Sequence, residues 1–243
     1  MLIQRVLSCI AVVIVVSVPA VAHAQCNGSG TARWPVKTSA ISSATNTASQ
    51  LDVAAFVIAP DLGITSAPNN SFIDQNVTIG GVTVREGQLV QVTGYLSDVH
   101  CDKDGDYHGD LRANDSGTGP PCAIVEVPYP PNVANPETNA RVSEARQAFD
   151  QWLDQHTIVH VTLVGQLFYD STHHSSTNPG GGRGTGFCAK TLWEIHPVLK
   201  VFVAGAQTPQ PTLAPSPLPT TAPTTAPTTG PTITPTPTPA GSG

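Results

Sequence analysis

The sequence predicts a mainly β fold with one helix, in the order β-β-β-α-β-β. Two patterns support this fold class. Five segments of alternating or β-branched residues are separated by turns rich in Gly, Pro, Asn and Asp, and one segment repeats apolar residues at spacings of three and four. The 243-residue chain has only 3 Trp, 4 Tyr and 6 Phe. We therefore expect a core built mostly from Val, Ile, Leu and Ala.

Three predicted strands precede the helix and two follow it. Their bounds are 88–99, Tyr107–Arg112, Ala123–Val127, 158–169 and 191–203. Gly94 lies inside the first strand and Gly165 inside the fourth, and a glycine in a strand favours a bulge or a sharp bend. Pro197 in the fifth strand predicts a break or an edge, because proline cannot donate a hydrogen bond to the sheet.

The predicted helix begins after Asn135, whose side chain can cap it. Pro136 stands at the first helical position, where a missing amide donor costs nothing. The apolar stripe that follows comprises Val142, Ala145, Phe149, Trp152 and Leu153. Its spacing predicts one buried helix face.

The order of these elements is that of an OB-fold, a five-stranded Greek-key barrel. The glycine inside the first strand and the helix between the third and fourth strands both fit that fold. A mixed β-sandwich with a stray helix is the alternative. Upstream of the barrel, 51–58 could be a short helix or a short strand, and 63–77 is expected to be irregular.

The N-terminus has the pattern of a secretory signal, which we predict at 1–24. Arg5 precedes the apolar run 6–18, and a small-residue A-x-A site follows at 22–24. We therefore expect an exported protein, secreted or at the cell surface, with no transmembrane segment after signal cleavage.

Three segments are expected after the signal. An N-terminal arm at 25–84 is partly irregular, and the OB-like barrel domain covers 85–205. The tail at 206–243 is rich in Pro and Thr, a composition that predicts a disordered, extended spacer.

The charge pattern excludes several function classes. The formal net charge is −6, and an acidic surface repels phosphate backbones, so no nucleic-acid partner is expected. The glycine-rich run 178–186 precedes a strand rather than a helix, unlike a phosphate-binding loop. No G-x-S-x-G nucleophile motif occurs. The expected partner is an unknown ligand or a component of the cell envelope.

Four cysteines remain once Cys9 leaves with the signal, and an even number in an exported protein predicts two disulfides. The third and fifth strands of an OB-fold run parallel, so the residues that precede them lie at the same end. This favours Cys122–Cys188 and leaves Cys26–Cys101 as the second pair. The rival Cys101–Cys122 pair would sit at opposite ends of the second strand, about 20 Å apart.

Candidate ligands for a metal ion lie on the second and fifth predicted strands and at the end of the fourth. They are His108, Asp170, His173, His174, Glu194 and His196. Imidazoles combined with carboxylates suit zinc or iron. The loop 178–186 could lie over such a site, where Arg183 could meet an anion. Two alternatives stay open: structural pairs in which carboxylates orient histidines, and a ligand pocket without metal. No cofactor other than a divalent metal is expected.

The loop 102–106 places Asp at alternate positions. A polar hairpin turn explains this composition, and a weak surface calcium site is the alternative.

Several strings resemble a family of exported bacterial OB-like domains that has no established activity. The most specific are Asp-Gly-Asp-Tyr-His at 104–108 and Glu-Ile-His-Pro-Val at 194–198, and the resemblance spans about 33–203. A fainter likeness connects 104–107 with thermonuclease-type OB domains, which use a D-G-D-T string for metal and nucleotide. Tyr107 replaces that threonine, and Glu126-Val127-Pro128 only partly matches their acidic-proline string.

Two functions follow from the sequence. The first is an exported, disulfide-stabilised OB-like binding or structural module on a Pro/Thr-rich stalk. The second is a metal-dependent hydrolase that uses the Asp/His/Glu set. The acidic charge and the stalk favour the first, and the candidate ligands favour the second.

Overall fold

The structure is a computed structural model, and the residues it describes are 26, 28, 32–39, 47–119, 121–174, 183 and 187–204. The chain divides into two units, Met1–Ala206 and Gln207–Gly243. The signal and the tail predicted from the sequence lie outside the described residues, so both stay predictions. No helix in the described part of the chain is long and apolar enough to cross a membrane.

The described residues form eight strands and three α-helices. The strands are β1 (Ser49–Leu51), β2 (Asn76–Ile79), β3 (Val82–Arg85), β4 (Leu89–Cys101), β5 (Tyr107–Arg112), β6 (Ala123–Val127), β7 (Val159–Tyr169) and β8 (Trp193–Val203). The helices are α1 (Trp34–Lys37), α2 (Val53–Phe56) and α3 (Pro136–Asp150).

Strands β4 to β8 close into a five-stranded barrel. Strand β4 pairs with β5 on one side and with β7 on the other, and the remaining neighbours are β5–β6, β6–β8 and β8–β7. Only β6 and β8 run parallel in this barrel, in register at Val125 and Ile195. The mainly β, OB-like barrel predicted from the sequence is confirmed, and β5 and β6 have the predicted bounds.

The chain before the barrel adds elements that pack on it. Strand β1 extends the sheet by pairing parallel to β4. The sequence left open whether the segment 51–58 is a helix or a strand. Leu51 is the last residue of β1, and α2 follows, with its N-terminus capped by the Asp52 side chain. The β2–β3 hairpin was not predicted, although its turn is Gly80-Gly81, with φ of 57° and 83°. Such a turn between alternating strands is a recognisable hairpin signal.

The two strand glycines allow close approaches of the backbone. A Cβ on Gly94 would lie 2.7 Å from the carbonyl oxygen of Arg112, and one on Gly165 would lie 2.5 Å from that of Pro197. The register of β7–β8 shifts at Gly165, as a bulge would require. The register shift of β4 against β5 lies between Ser97 and His100, and not at Gly94.

The helix α3 closes the core over the barrel. Asn135 accepts a hydrogen bond from the Thr138 amide, the predicted cap. The predicted stripe is buried, with Val142 and Phe149 0% exposed. Trp152 and Leu153 lie beyond the last helical residue, yet both remain in the core.

Two disulfides connect distant parts of the chain, and they are the two pairs that the strand order predicts. The Cα atoms of Cys26 and Cys101 are 5.7 Å apart, and those of Cys122 and Cys188 are 5.2 Å apart. They close loops with sequence separations of 75 and 66. In the chain-entropy account, each contributes about 4 kcal/mol to the free energy of unfolding. The protein is therefore a disulfide-stabilised barrel module.

Candidate functional site

Three buried ionisable side chains meet between strands β5, β6 and β8. Asp106 directly precedes β5, Glu126 lies on β6 and His196 lies on β8. Asp106 and His196 are 0% exposed and Glu126 is 6% exposed. Charged groups buried to this degree need partners inside the protein. We call these three residues the Glu126 cluster.

The register of the barrel strands places these residues together. Glu126 pairs with His108 in the antiparallel β5–β6 ladder. Val125 pairs with Ile195 in the parallel contact of β6 with β8, so the next residue on each strand sets Glu126 beside His196. Strand β6 is buried along its whole length. An acidic side chain in its middle is therefore held inside the protein by the sheet itself.

The His196 ring lies between the two carboxylates of the Glu126 cluster. Its Nδ1 is 2.6 Å from Glu126 Oε2, and its Nε2 is 3.5 Å from Asp106 Oδ2. Despite these distances, none of the four atoms makes a hydrogen bond of acceptable geometry with a described residue. One ligand atom from each residue can be chosen so that all lie within 4.8 Å of one another. This spacing can accommodate a metal ion.

The pKa values assign charges within the cluster. Burial alone would raise the pKa of Glu126, but the charges of Lys37 and His196 outweigh it and hold that pKa well below its usual range. Burial, with Asp104 and Glu126 nearby, raises the pKa of Asp106 to about 7. Burial and the Lys37 charge lower the pKa of His196. The lowered pKa keeps Glu126 anionic near neutral pH, whereas the raised pKa makes Asp106 easier to protonate than an ordinary aspartate.

The cation nearest to the cluster, Lys37, comes from helix α1. Its Nζ lies 3.6 Å from Glu126 Oε2 and 5.4 Å from the centroid of the Phe168 ring. Burial would lower the pKa of Lys37, but the surrounding carboxylates raise it overall. Gln166 donates a hydrogen bond to the carbonyl oxygen of Val36, 3.2 Å away, and so holds α1 against the barrel. The site therefore includes the N-terminal arm.

A second polar group surrounds Asp170, at the end of β7. Its carboxylate accepts hydrogen bonds from His173 Nδ1 and the Thr172 hydroxyl, and Arg183 Nη2 lies 2.7 Å away. Burial would raise the pKa of Asp170, but His173, Arg183 and Thr172 outweigh it and hold that pKa well below its usual range. Arg183 also contacts Glu194. Two carboxylates thus share one guanidinium.

A polar groove runs past both groups. It consists of a cavity of about 330 Å³, whose walls include Lys37 and Glu126, and one of about 860 Å³ on the His108 side. The two cavities share Asp102, His173 and Arg183, so they adjoin. Glu126 is the member of the Glu126 cluster that lines the groove, while Asp106 and His196 lie behind it.

The structure distributes the six predicted ligands over three places. His108 and His196 both contact Glu126, at 3.2 and 2.6 Å. Asp170 and His173 form a pair, and Glu194 Oε2 is 4.0 Å from His196 Nδ1. His174 instead contacts Asp61, 3.1 Å away. The six residues therefore lie in three groups, and their binding of a metal ion stays a prediction.

Sequence reasoning missed the centre of the cluster. It assigned Asp106 to a turn, included Glu126 only in a motif string and did not consider Lys37. One signal was available for Glu126, which is an acid inside the otherwise apolar strand Ala123–Val127. No sequence signal shows that α1 folds back to place Lys37 there, because that contact depends on the tertiary path of the arm.

No protein-family model matches the chain, and no curated protein matches it.

Proposed function

We propose that the protein is an exported, disulfide-stabilised OB-like module that binds a divalent metal ion at the Glu126 cluster. Two carboxylates and an imidazole form the mixed oxygen and nitrogen ligand set that suits Zn²⁺, Mn²⁺ or Fe²⁺. Two disulfides fit an oxidising compartment outside the cytoplasm, and the predicted signal agrees with that location. The predicted Pro/Thr-rich tail would serve as a stalk.

One observation carries this proposal. In the described part of the chain, Asp106 Oδ2, Glu126 Oε2 and both ring nitrogens of His196 are buried without a hydrogen-bond partner. Leaving a buried polar atom unpaired costs about 1–3 kcal/mol, and more for a charged group. One such atom from each of the three neighbouring side chains is consistent with the ligands of one cation, which would satisfy three of the four atoms.

A simpler explanation competes with the metal ion. Lys37 can act as the counter-ion of Glu126, and buried water could satisfy the remaining atoms. Under that explanation the cluster only connects the arm to the barrel. The two explanations predict different metal contents, because a protein counter-ion leaves no demand for a second cation.

Equilibrium dialysis of the full chain against Zn²⁺, with both disulfides formed, tests the proposal. We expect at least one Zn²⁺ per chain in the wild type and at least a tenfold loss of affinity in Glu126→Gln. The matched control is Glu137→Gln, an exposed glutamate on α3 paired with Arg141, which should bind as the wild type does. Circular dichroism checks that each variant is folded, and Asp106→Asn replaces Glu126→Gln if the latter does not fold.

Absence of Zn²⁺ and Mn²⁺ binding in the folded wild type would reject the proposal in favour of the Lys37 counter-ion. Equal binding by wild type, Glu126→Gln and Asp106→Asn would place the ion elsewhere.

A metal-dependent hydrolase is the second candidate, and the Asp170–His173 pair favours it. Asp170 orients a half-exposed imidazole, 52% accessible, that lines the same groove as Glu126. An imidazole held by a carboxylate can transfer protons, while a metal ion polarises a carbonyl or phosphoryl oxygen. Metal-loaded protein should then hydrolyse chromogenic acyl or phosphate esters, and His173→Ala should lower kcat at least tenfold without changing metal content. A fully loaded protein without activity on either ester class would count against this candidate.

A further inference from the structure

Glu126 faces ligand groups on both of its carboxylate oxygens. Its Oε2 lies 2.6 Å from His196 Nδ1, on the buried side, and its Oε1 lies 3.2 Å from His108 Nδ1, on the groove side. The two histidines come from β8 and β5, the two neighbours of β6 in the sheet. Glu126 is therefore the common member of two sets of side chains.

The groove-side set consists of Asp102, His108 and Glu126. Ligand atoms of these three residues can also be chosen to lie within 4.8 Å of one another. Asp102 is exposed and His108 is partly exposed, and Asp102 lines both cavities of the groove. This set therefore opens to solvent, whereas Asp106 and His196 do not.

Charge also favours a second cation here. His108 Nε2 lies 3.9 Å from Asp110 Oδ1, and Asp104 follows Asp102 in the same loop. Asp110 is already paired with Arg112 at 2.8 Å. Asp102, by contrast, makes no ion pair with any described residue, and its Oδ1 accepts a hydrogen bond only from the Lys103 amide, 2.7 Å away.

We propose that Asp102, His108 and Glu126 hold a second divalent cation, so that Glu126 bridges two metal ions. This inference rests on the proposed function, because the first ion is the one at the Glu126 cluster. The inner ion is enclosed and exchanges slowly. The outer ion faces the groove, where an oxygen of a bound ligand can complete its coordination. Carboxylate-bridged pairs of this kind, about 3.5–4 Å apart, clamp the oxygens of ester substrates.

Mn²⁺ is the probe for this arrangement, because two ions that share one carboxylate give an exchange-coupled paramagnetic resonance spectrum. We expect two Mn²⁺ per chain by equilibrium dialysis, together with that coupled spectrum. His108→Ala should reduce the content to one ion and abolish the coupling. Asp102→Asn should weaken the second ion at least tenfold. His160→Ala is the matched control, since His160 is an exposed histidine of β7 that stacks on Tyr95, and it should keep two ions.

The outcomes separate this inference from the proposed function. One Mn²⁺ in the wild type, unchanged in His108→Ala, overturns the bridged pair and leaves the inner site standing. No Mn²⁺ and no Zn²⁺ in the wild type overturns both. Two ions that persist in both His108→Ala and Asp102→Asn overturn the residue assignment. Circular dichroism confirms that the variants are folded, and Asp102→Asn, in an exposed loop, carries the test if His108→Ala does not fold.

Discussion

Two buried glutamates in this protein have opposite surroundings. Glu86 is fully paired: its oxygens accept hydrogen bonds from Arg33 at 2.6 and 2.8 Å and from the amides of Ile73 and Tyr169 at 2.7 and 2.9 Å. Arg33 donates in addition to backbone oxygens of Pro68, Ser71 and Tyr169. Glu126 has contacts of similar length, but its Oε2 has no hydrogen-bond partner among the described residues.

The difference shows what each glutamate does. A buried ion pair with every donor and acceptor satisfied holds segments together, here the turn before α1 and the end of β7. Glu126 Oε2 has ion-pair contacts with Lys37 and His196 but no hydrogen bond, and a second carboxylate lies nearby, so this oxygen keeps ligand capacity. Burial alone would not have distinguished the two, since Glu86 is 2% exposed and Glu126 is 6% exposed.

The largest loss in the free energy of unfolding is expected when Glu86 is replaced. Glu86→Gln leaves the Arg33 guanidinium buried with a neutral partner, and breaking such a pair costs about 3–5 kcal/mol. Urea unfolding with both disulfides intact measures this loss. Zn²⁺ affinity should stay within about threefold of the wild type. A loss below about 1 kcal/mol would show that the pair is not the structural tether described above.

A smaller loss in the free energy of unfolding, one that depends on pH, is expected when Asp170 is replaced. His173, Arg183 and Thr172 hold the pKa of Asp170 below its usual range against the effect of burial, so the folded state binds fewer protons than the unfolded state in acid. Asp170 therefore stabilises the fold above about pH 4, and this contribution is lost as the pH falls through the lowered pKa.

Asp170→Asn should accordingly cost about 1–3 kcal/mol at pH 7 and progressively less in acid, as measured by urea unfolding at several pH values. The matched control is Asp74→Asn, whose side chain is 90% exposed in its ion pair with Arg85 and which should cost less than about 1 kcal/mol. A pH-independent cost at Asp170 would contradict the assigned charge.

The fold was largely predictable from local sequence patterns, whereas the site was not. Alternation and turn residues located the five barrel strands, and the Asn135 cap located the helix. The Cys122–Cys188 pair followed from the parallel course of β6 and β8. The hairpin at Gly80-Gly81 was missed even though its signal is local.

The centre of the site depends on contacts that no local pattern contains. Glu126 and His196 meet because β6 and β8 are in parallel register, and Lys37 reaches them only through the tertiary path of the arm. The histidines were recognisable by type, but His174 turned out to contact Asp61 instead. Residue type alone does not show which carboxylate each histidine faces.

The smallest change in free energy is expected from replacing Lys37. Lys37→Met removes a positive charge 3.6 Å from Glu126 Oε2 while keeping most of the apolar stem. A cation that competes with a metal ion weakens its binding, so we expect Zn²⁺ affinity to rise about tenfold or more, measured by calorimetric titration. Unchanged or weaker binding would mean that the Lys37 charge does not oppose a metal ion at Glu126.

The effect of Zn²⁺ on the free energy of unfolding tests most directly whether Glu126 binds the metal ion. It is measured in the wild type, Glu86→Gln and Glu126→Gln. At a free Zn²⁺ concentration 100 times Kd, an ion that binds only the folded state adds about 2.7 kcal/mol. We predict this gain in the wild type and in Glu86→Gln, and a gain of at most about 1.4 kcal/mol in Glu126→Gln, whose affinity is at least tenfold lower. Equal gains in all three proteins, or no gain in the wild type, would contradict the assignment of Glu126 as the metal-binding glutamate.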